Sequence, residues 1–232
     1  MIKNYKNWLF EKATSDLNRK QTIWCNIWLG DRWKAVDSNR DTLIEVRGDV
    51  TIKNSQTFSL PVKFADHRSN FTIERCQNLG TLKGCPESSE EFRLKDCPNI
   101  QTLEGGPKEV REYHVQNLGI KNLIGSPEIV TKVFNCGNNN LLESFEGAPS
   151  KIEGESIFFA QHCPNVKTIL GAPIAKAYFI TTEWIENATE KEWLSDPDQN
   201  LDLIHKWLNS KLTIEEFLIE KRGIITGKKY GL

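Results

Sequence analysis

The side chains that could do chemistry in this chain are few, and their spacing does not converge on a reaction. The four histidines, His67, His114, His162 and His205, are scattered. None of the motifs Gly-x-x-x-x-Gly-Lys-Ser/Thr, His-Glu-x-x-His or Gly-x-Ser-x-Gly occurs. Of the six cysteines, no two form a Cys-x-x-Cys pair, so the ligand spacing of a zinc site is missing. Glu90 and Glu91 are adjacent, and in a regular strand they would point to opposite faces and make a poor acid–base pair. His114 is expected on an outward strand position, where it could face Glu91 or Glu112, with surface contact favoured over catalysis. Asn70-Phe71-Thr72 and Asn187-Ala188-Thr189 match the glycosylation triplet, but they carry no meaning without a secretory signal. The reading assigns no catalytic residue, no cofactor, no cofactor-binding residue and no metal ligand, and expects a protein that is not an enzyme.

The cysteines acquire a pattern once the elements around them are considered. From Val50 to about Ile180 the chain repeats apolar-x-apolar-x-x-(Cys/Asn/Ser)-x-x-Leu-x-x-Leu-x-Gly-x-Pro. The first leucine-type position after each strand gives the series Phe58, Leu79, Ile100, Ile120, Leu142, Val166, with steps of 21, 21, 20, 22 and 24 residues. A period of this size predicts stacked coils rather than a single globular core. Cys76, Cys97 and Cys163 stand three residues before the anchor, at the position that Ser55, Asn117 and Asn139 fill in other coils. Cys136 falls at an inward strand position equivalent to Ile73 and Leu94, while Cys25 and Cys85 lie outside the register. Small buried thiols stacked coil upon coil are expected, not disulfides. An asparagine at the bend is expected to pair with backbone groups of the next coil. The Gly-x-Pro segment marks the turn on the far side, because glycine bends where other residues resist and proline donates no hydrogen bond.

Thirty basic against thirty-one acidic residues leave a net charge of −1, which argues against bulk attraction to nucleic acid or anionic lipid. No stretch approaches the roughly 18 apolar residues of a membrane span, and no apolar core of signal-peptide length opens the chain, so a cytoplasmic protein is expected. Three segments follow. Residues 1–46 form an N-terminal cap with a short amphipathic helix over residues 5–19 and a tryptophan cluster of Trp24, Trp28 and Trp33 that covers the first coil. Residues 47–182 form the solenoid of about six coils. Residues 183–232 form a helical C-terminal cap and tail, with Thr213-x-x-Glu216 as a capping box and Gly223 as a helix stop. The fold class is α+β, with the short strands in one parallel sheet.

These residues resemble leucine-rich repeats of a variant common in proteins of large tailed bacteriophages. The leader Val46-Arg47-Gly48-Asp49-Val50 and the turns Leu82-Lys83-Gly84-Cys85-Pro86, Leu103-Glu104-Gly105-Gly106-Pro107, Phe145-Glu146-Gly147-Ala148-Pro149 and Leu170-Gly171-Ala172-Pro173 carry the likeness. They cover about 130 residues. The resemblance implies the solenoid and, in general terms, protein recognition.

What such an array offers is an outward ladder of side chains. The candidate protein-binding residues are Arg93, Lys95, His114, Gln116, Asn135, Ile157, Phe159, Gln161 and Phe179. Aromatics beside a basic pair have the composition of an interface hot spot. The alternative is that the C-terminal helices fold back over Phe159 and Phe179. The expected function is non-enzymatic binding of a host or viral protein, which is inhibited or redirected in host takeover or anti-defence. The alternatives are a virion or assembly component and an enzyme whose active groups lie in the two ends. Two phenylalanines and two cations are too few for a single-stranded nucleic-acid site. No membrane partner is expected, and a homo-oligomer is left open.

Overall fold

The computed structural model describes residues 17–38, 41–154, 156–166, 171–173, 175 and 177–179. The helix predicted over residues 5–19, the helices and capping box predicted over 183–232, and His205 lie outside the described residues, apart from the end of the first.

The strands β3 (Val50–Lys53), β5 (His67–Glu74), β6 (Ser88–Cys97), β7 (Glu109–Leu118), β8 (Ile129–Asn135), β9 (Ile157–Phe159) and β10 (Ala177–Phe179) lie side by side in one seven-stranded sheet. Every pairing in it is parallel. Strand order follows the chain, so each segment between strands makes one complete coil of a solenoid. Period-two alternation puts Phe71, Phe92, Tyr113, Phe134 and Phe158 on the inner face, where all are fully buried. Their rings form a column. Phe71 and Phe92 stack with centroids 6.0 Å apart and planes 4° apart. Further along the planes tilt, reaching 39° between Tyr113 and Phe134. Ile52, Ile73, Leu94 and Val115 make a second buried row, in register from strand to strand.

Between strands the described residues of the coil form turns and bends. At or within three residues of the C-terminal end of β3 and of each strand from β5 to β9 stands a residue in the left-handed region: Asn54, Arg75, Asp96, Asn117, Asn138 and His162, all with φ between 54° and 59°. This bend turns the chain under the sheet, and the next residue points inward: Ser55, Cys76, Cys97, Leu118, Asn139 and Cys163 are all buried. Asn117 therefore does not share the position of Cys76 and Cys97. It is the left-handed residue itself, exposed, and Leu118 pairs with Cys97 across β6 and β7. The fourth coil is one residue shorter before its anchor, which is why counting back from Ile120 chose the wrong residue. Asn139 fits the expectation, but it binds the preceding coil. Its Oδ1 accepts from the Leu118 N–H at 2.9 Å, and its Nδ2 donates to Val115 O at 2.8 Å and to Cys136 O within its own coil at 2.8 Å. All six cysteines are free and buried.

The anchors Leu79, Ile100, Ile120, Leu142 and Val166 are buried, but Phe58 is 70% exposed. In the first coil Leu60 is buried nearby instead, and the Phe58 ring lies over Gly80, where an added Cβ would stand 2.2 Å from it. The far-side glycines have positive φ, and at Gly125 (φ 89°) a Cβ would sit 2.2 Å from the Glu104 nitrogen of the coil before.

Ahead of the first coil the structure places a helix, α1 (Arg19–Leu29), beyond the predicted span. Asn18 caps it through the Lys20 and Gln21 N–H groups, and the Gln21 side chain accepts from the Asn18 N–H in return. Gln21 also donates to Pro61 O at 2.7 Å, tying the helix to the first coil. Trp24, Cys25 and Leu29 belong to the same continuous core as the coils, and the Trp24 ring meets Phe64 edge-on at 6.3 Å. β1 (Trp33–Ser38) and β2 (Asp41–Val46) form an antiparallel pair, and β2 pairs in parallel with β4 (Lys63–Phe64). Trp33 is buried and donates to Asn26 Oδ1 at 3.0 Å. Trp24 and Trp33 are thus buried in the shared core, and Trp28 is partly buried against it.

Candidate interaction face

Strand register sets three rows of residue positions on the outer side of the parallel sheet. The central row runs Thr51, Thr72, Arg93, His114, Asn135, Phe159, Phe179. A second runs Lys53, Glu74, Lys95, Gln116. The third runs Asn70, Glu91, Glu112, Val133, Ile157, Ala177. Arg93, Lys95, His114, Gln116, Asn135, Ile157 and Phe159 are therefore brought onto one surface. Gln161 lies just past β9, with its carbonyl accepting from the Asn138 N–H at 2.7 Å. Of Phe179, the backbone register beside Phe159 is described. Arg93 is exposed, and the other residues of this set whose side chains are described are partly buried, Ile157 and Phe159 among them.

The face is divided by chemistry. Its β5–β8 half is ionic. Glu74 takes Lys53 and Arg75, each at 2.7 Å, and these two hydrogen bonds hold its carboxyl down at about 2. Glu91 accepts from Arg93, and Glu90 from Arg111. Arg111 also reaches Glu112 at 2.9 Å, and Lys132 bonds the same Glu112 oxygen at 3.0 Å. Burial alone would raise the Glu112 carboxyl, but the hydrogen bond and charge of Lys132, with help from Arg111, leave it below its ordinary value. The half nearer β9 is apolar, with Val133, Ile157 and Phe159 in place of charges.

Glu90 and Glu91 do not point to opposite faces. Buried Ser89 and buried Phe92 are separated by two residues, and the same spacing recurs between Val110 and Tyr113. The ladders slip at these points, so a bulge turns both acidic residues toward solvent. This bulge lets Arg111 bridge Glu90 on the neighbouring strand and Glu112 on its own, a network that simple alternation hides. One part of it is visible in the sequence: the step of 21 that sets Arg93 beside His114 also sets Glu91 beside Glu112.

His114 faces both carboxylates, as its outward position suggested. Its Nε2 lies 3.5 Å from Glu91 Oε1 and 3.5 Å from Glu112 Oε2. That nitrogen is closed to solvent and has no hydrogen-bond partner. Burial lowers the imidazole pKa and outweighs the raising influence of Glu91 and Glu112. Beside the cluster, at the starts of the strands, lies a cleft of about 420 Å³ lined in part by Arg68, Ser88, Glu90, Glu109 and Arg111. His67 and Ser89 also border it. His67 Nε2 and Ser89 Oγ are buried without a hydrogen-bond partner, and both residues lie on the inner face beside Phe71 and Val110.

No protein-family model, no curated protein and no solved structure matches this chain.

Proposed function

We propose that this chain is a non-catalytic protein-binding module whose partner rests on the outer face of the parallel sheet. The observation that carries the reading is the unbroken register of the central row, which sets basic Arg93, polar His114 and Asn135, and aromatic Phe159 in a single line across adjacent strands. A face with fixed ion pairs at one side and apolar groups at the other selects a partner by matching charge and then gains affinity from the apolar side. The inner side chains of the sheet pack in a continuous core, which limits the ordering cost added on binding. The likeness to leucine-rich repeats of tailed bacteriophages makes that partner a host or viral protein, which binding would occlude or redirect. Among the described residues no helix is long and apolar enough to cross a membrane, consistent with a partner met in solution.

The test is capture of partners from a host lysate by the intact chain and by the double variant Arg93→Glu/Phe159→Ala. A central hot-spot pair should cost about 2 kcal/mol or more, roughly 30-fold in affinity. The reading expects the captured protein to disappear with the double variant and to persist with Lys83→Glu on the far-side turns, while all three proteins keep the same circular dichroism. Retention of every partner by the double variant would refute the choice of face.

A further inference from the structure

The Glu91–Glu112–His114 cluster is more than an ion-pair network with a histidine beside it. The carboxylates sit on adjacent strands at paired positions, and His114 pairs with Arg93 one step further along the same strands. One ligand atom from each of the three lies within 4.8 Å of the other two. The two N···O separations of 3.5 Å are long for hydrogen bonds, and His114 Nε2 makes none. They match a different chemistry. A tetrahedral ion with bonds of about 2.1 Å sets its ligand atoms roughly 3.4 Å apart. From this geometry we infer that Glu91, Glu112 and His114 form a binding site for a first-row divalent transition cation of the zinc type, bridging β6 and β7 on the outer face.

The donor set suits that class, since imidazole with two carboxylates favours such ions over magnesium or calcium, which take oxygen alone. Glu112 is prepared for the role. Lys132 and Arg111 hold its Oε1, leaving Oε2 toward His114. Glu91 is not so free, because Arg93 takes Oε1, the oxygen that also faces His114. Loading therefore requires Glu91 to turn its other oxygen inward or to release Arg93. Such outer contacts fix the orientation of ligating groups and set affinity. Three protein ligands leave one position of a tetrahedral ion to be filled from outside the chain.

The experiment uses the full chain, stripped with chelator and titrated by calorimetry with zinc chloride, with cobalt(II) absorption as a second readout. One equivalent should bind, and the cobalt spectrum should show nitrogen and oxygen ligation without thiolate charge-transfer bands, because the cysteines are buried. His114→Ala and Glu112→Gln should each weaken binding by tenfold or more, roughly the minimum for a ligand given that outer-sphere partners already cost 10- to 100-fold. His162→Asn, a histidine outside the cluster, should bind as the parent does. Circular dichroism checks that each variant is folded, and Glu112→Gln keeps the test open should His114→Ala misfold. Absence of saturable binding at millimolar metal, or binding unchanged in both ligand variants, overturns the site and leaves an ion-pair network alone. The measurement needs no partner, so its failure leaves the proposed protein-binding role standing.

Discussion

At the scale of single residues, the coil-to-coil joint rests on what stands after the left-handed bend. Ser, Cys, Leu and Asn all occur there, and they differ in what they can offer the backbone. Cys76 makes weak contacts through its thiol to Ile52 O at 3.8 Å and to Glu74 O at 3.5 Å. Asn139 is fully buried and serves one N–H and two carbonyls. Asn139→Ala should therefore cost about 2–4 kcal/mol, since buried backbone groups lose partners. Asn139→Cys, the residue three other coils use, should cost clearly less. Urea denaturation of both variants checks the order, and equal losses would show that the amide is not what holds the joint. This position could be read from the sequence for Cys76, Cys97, Asn139 and Cys163, because the anchor spacing there is constant. It could not be read for Asn117, where one residue is missing between bend and anchor, and residue type alone does not tell an inward asparagine from a left-handed one.

At the scale of elements, the strands were legible and their irregularities were not. Phe-x-Ile, Phe-x-Leu and Tyr-x-Val announce an inner face, but nothing in Ser89-Glu90-Glu91-Phe92 signals a bulge unless the 21-residue step is used to overlay it on Val110-Arg111-Glu112-Tyr113. The helix Arg19–Leu29 was hidden for another reason. Its buried face is only Trp24, Cys25 and Leu29, and its outer face carries Ile23 and Ile27, so apolar periodicity is blurred. The far-side turns were the most legible elements, because a positive φ and a close approach both demand glycine. Gly125→Ala should lose about 1–2 kcal/mol from the left-handed backbone alone, and more because its Cβ would meet the Glu104 backbone. Glu104→Ala, exposed on the matching turn of the coil before, should lose less than about 0.5 kcal/mol. Thermal melts of the two variants decide it; similar melting points would mean that the turns yield and do not fix the pitch.

At the scale of the whole molecule, one continuous core runs from Leu17 to Ala175, so protons taken up anywhere in the described body act on a common stability. Burial lowers the pKa of His67, against smaller raising effects of its hydrogen bond to the Asn70 backbone and of Asp49. The unfolded chain then binds a proton that the folded chain refuses, and stability falls as pH drops below about 6.5. Glu74 adds a second loss. Its carboxyl is depressed to about 2 when folded, so its contribution is whole above pH 4.5 and fades as pH falls from there toward 2. Urea midpoints measured with chelator should show both steps. His67→Leu should reduce the first, to which buried His114 also contributes, and Glu74→Gln the second; an unchanged profile in either variant would place the titrating group elsewhere. The parallel solenoid itself was predictable from the period. The chemistry of its outer face was only half so, because cross-strand partners depend on where bulges shift the register.

The regular step has an outcome for how such a molecule can change by inheritance. Because each coil is bonded only to its two neighbours, copying a 21-codon stretch of the gene from one bend to the next would insert a whole rung, with every strand and turn partner supplied. The platform would lengthen by about 4.8 Å per copy. Gain or loss of one codon within a strand would instead turn its inner side chains outward. Variation in the length of this surface should thus arrive in whole rungs, while its chemistry drifts residue by residue on a frame that stays the same.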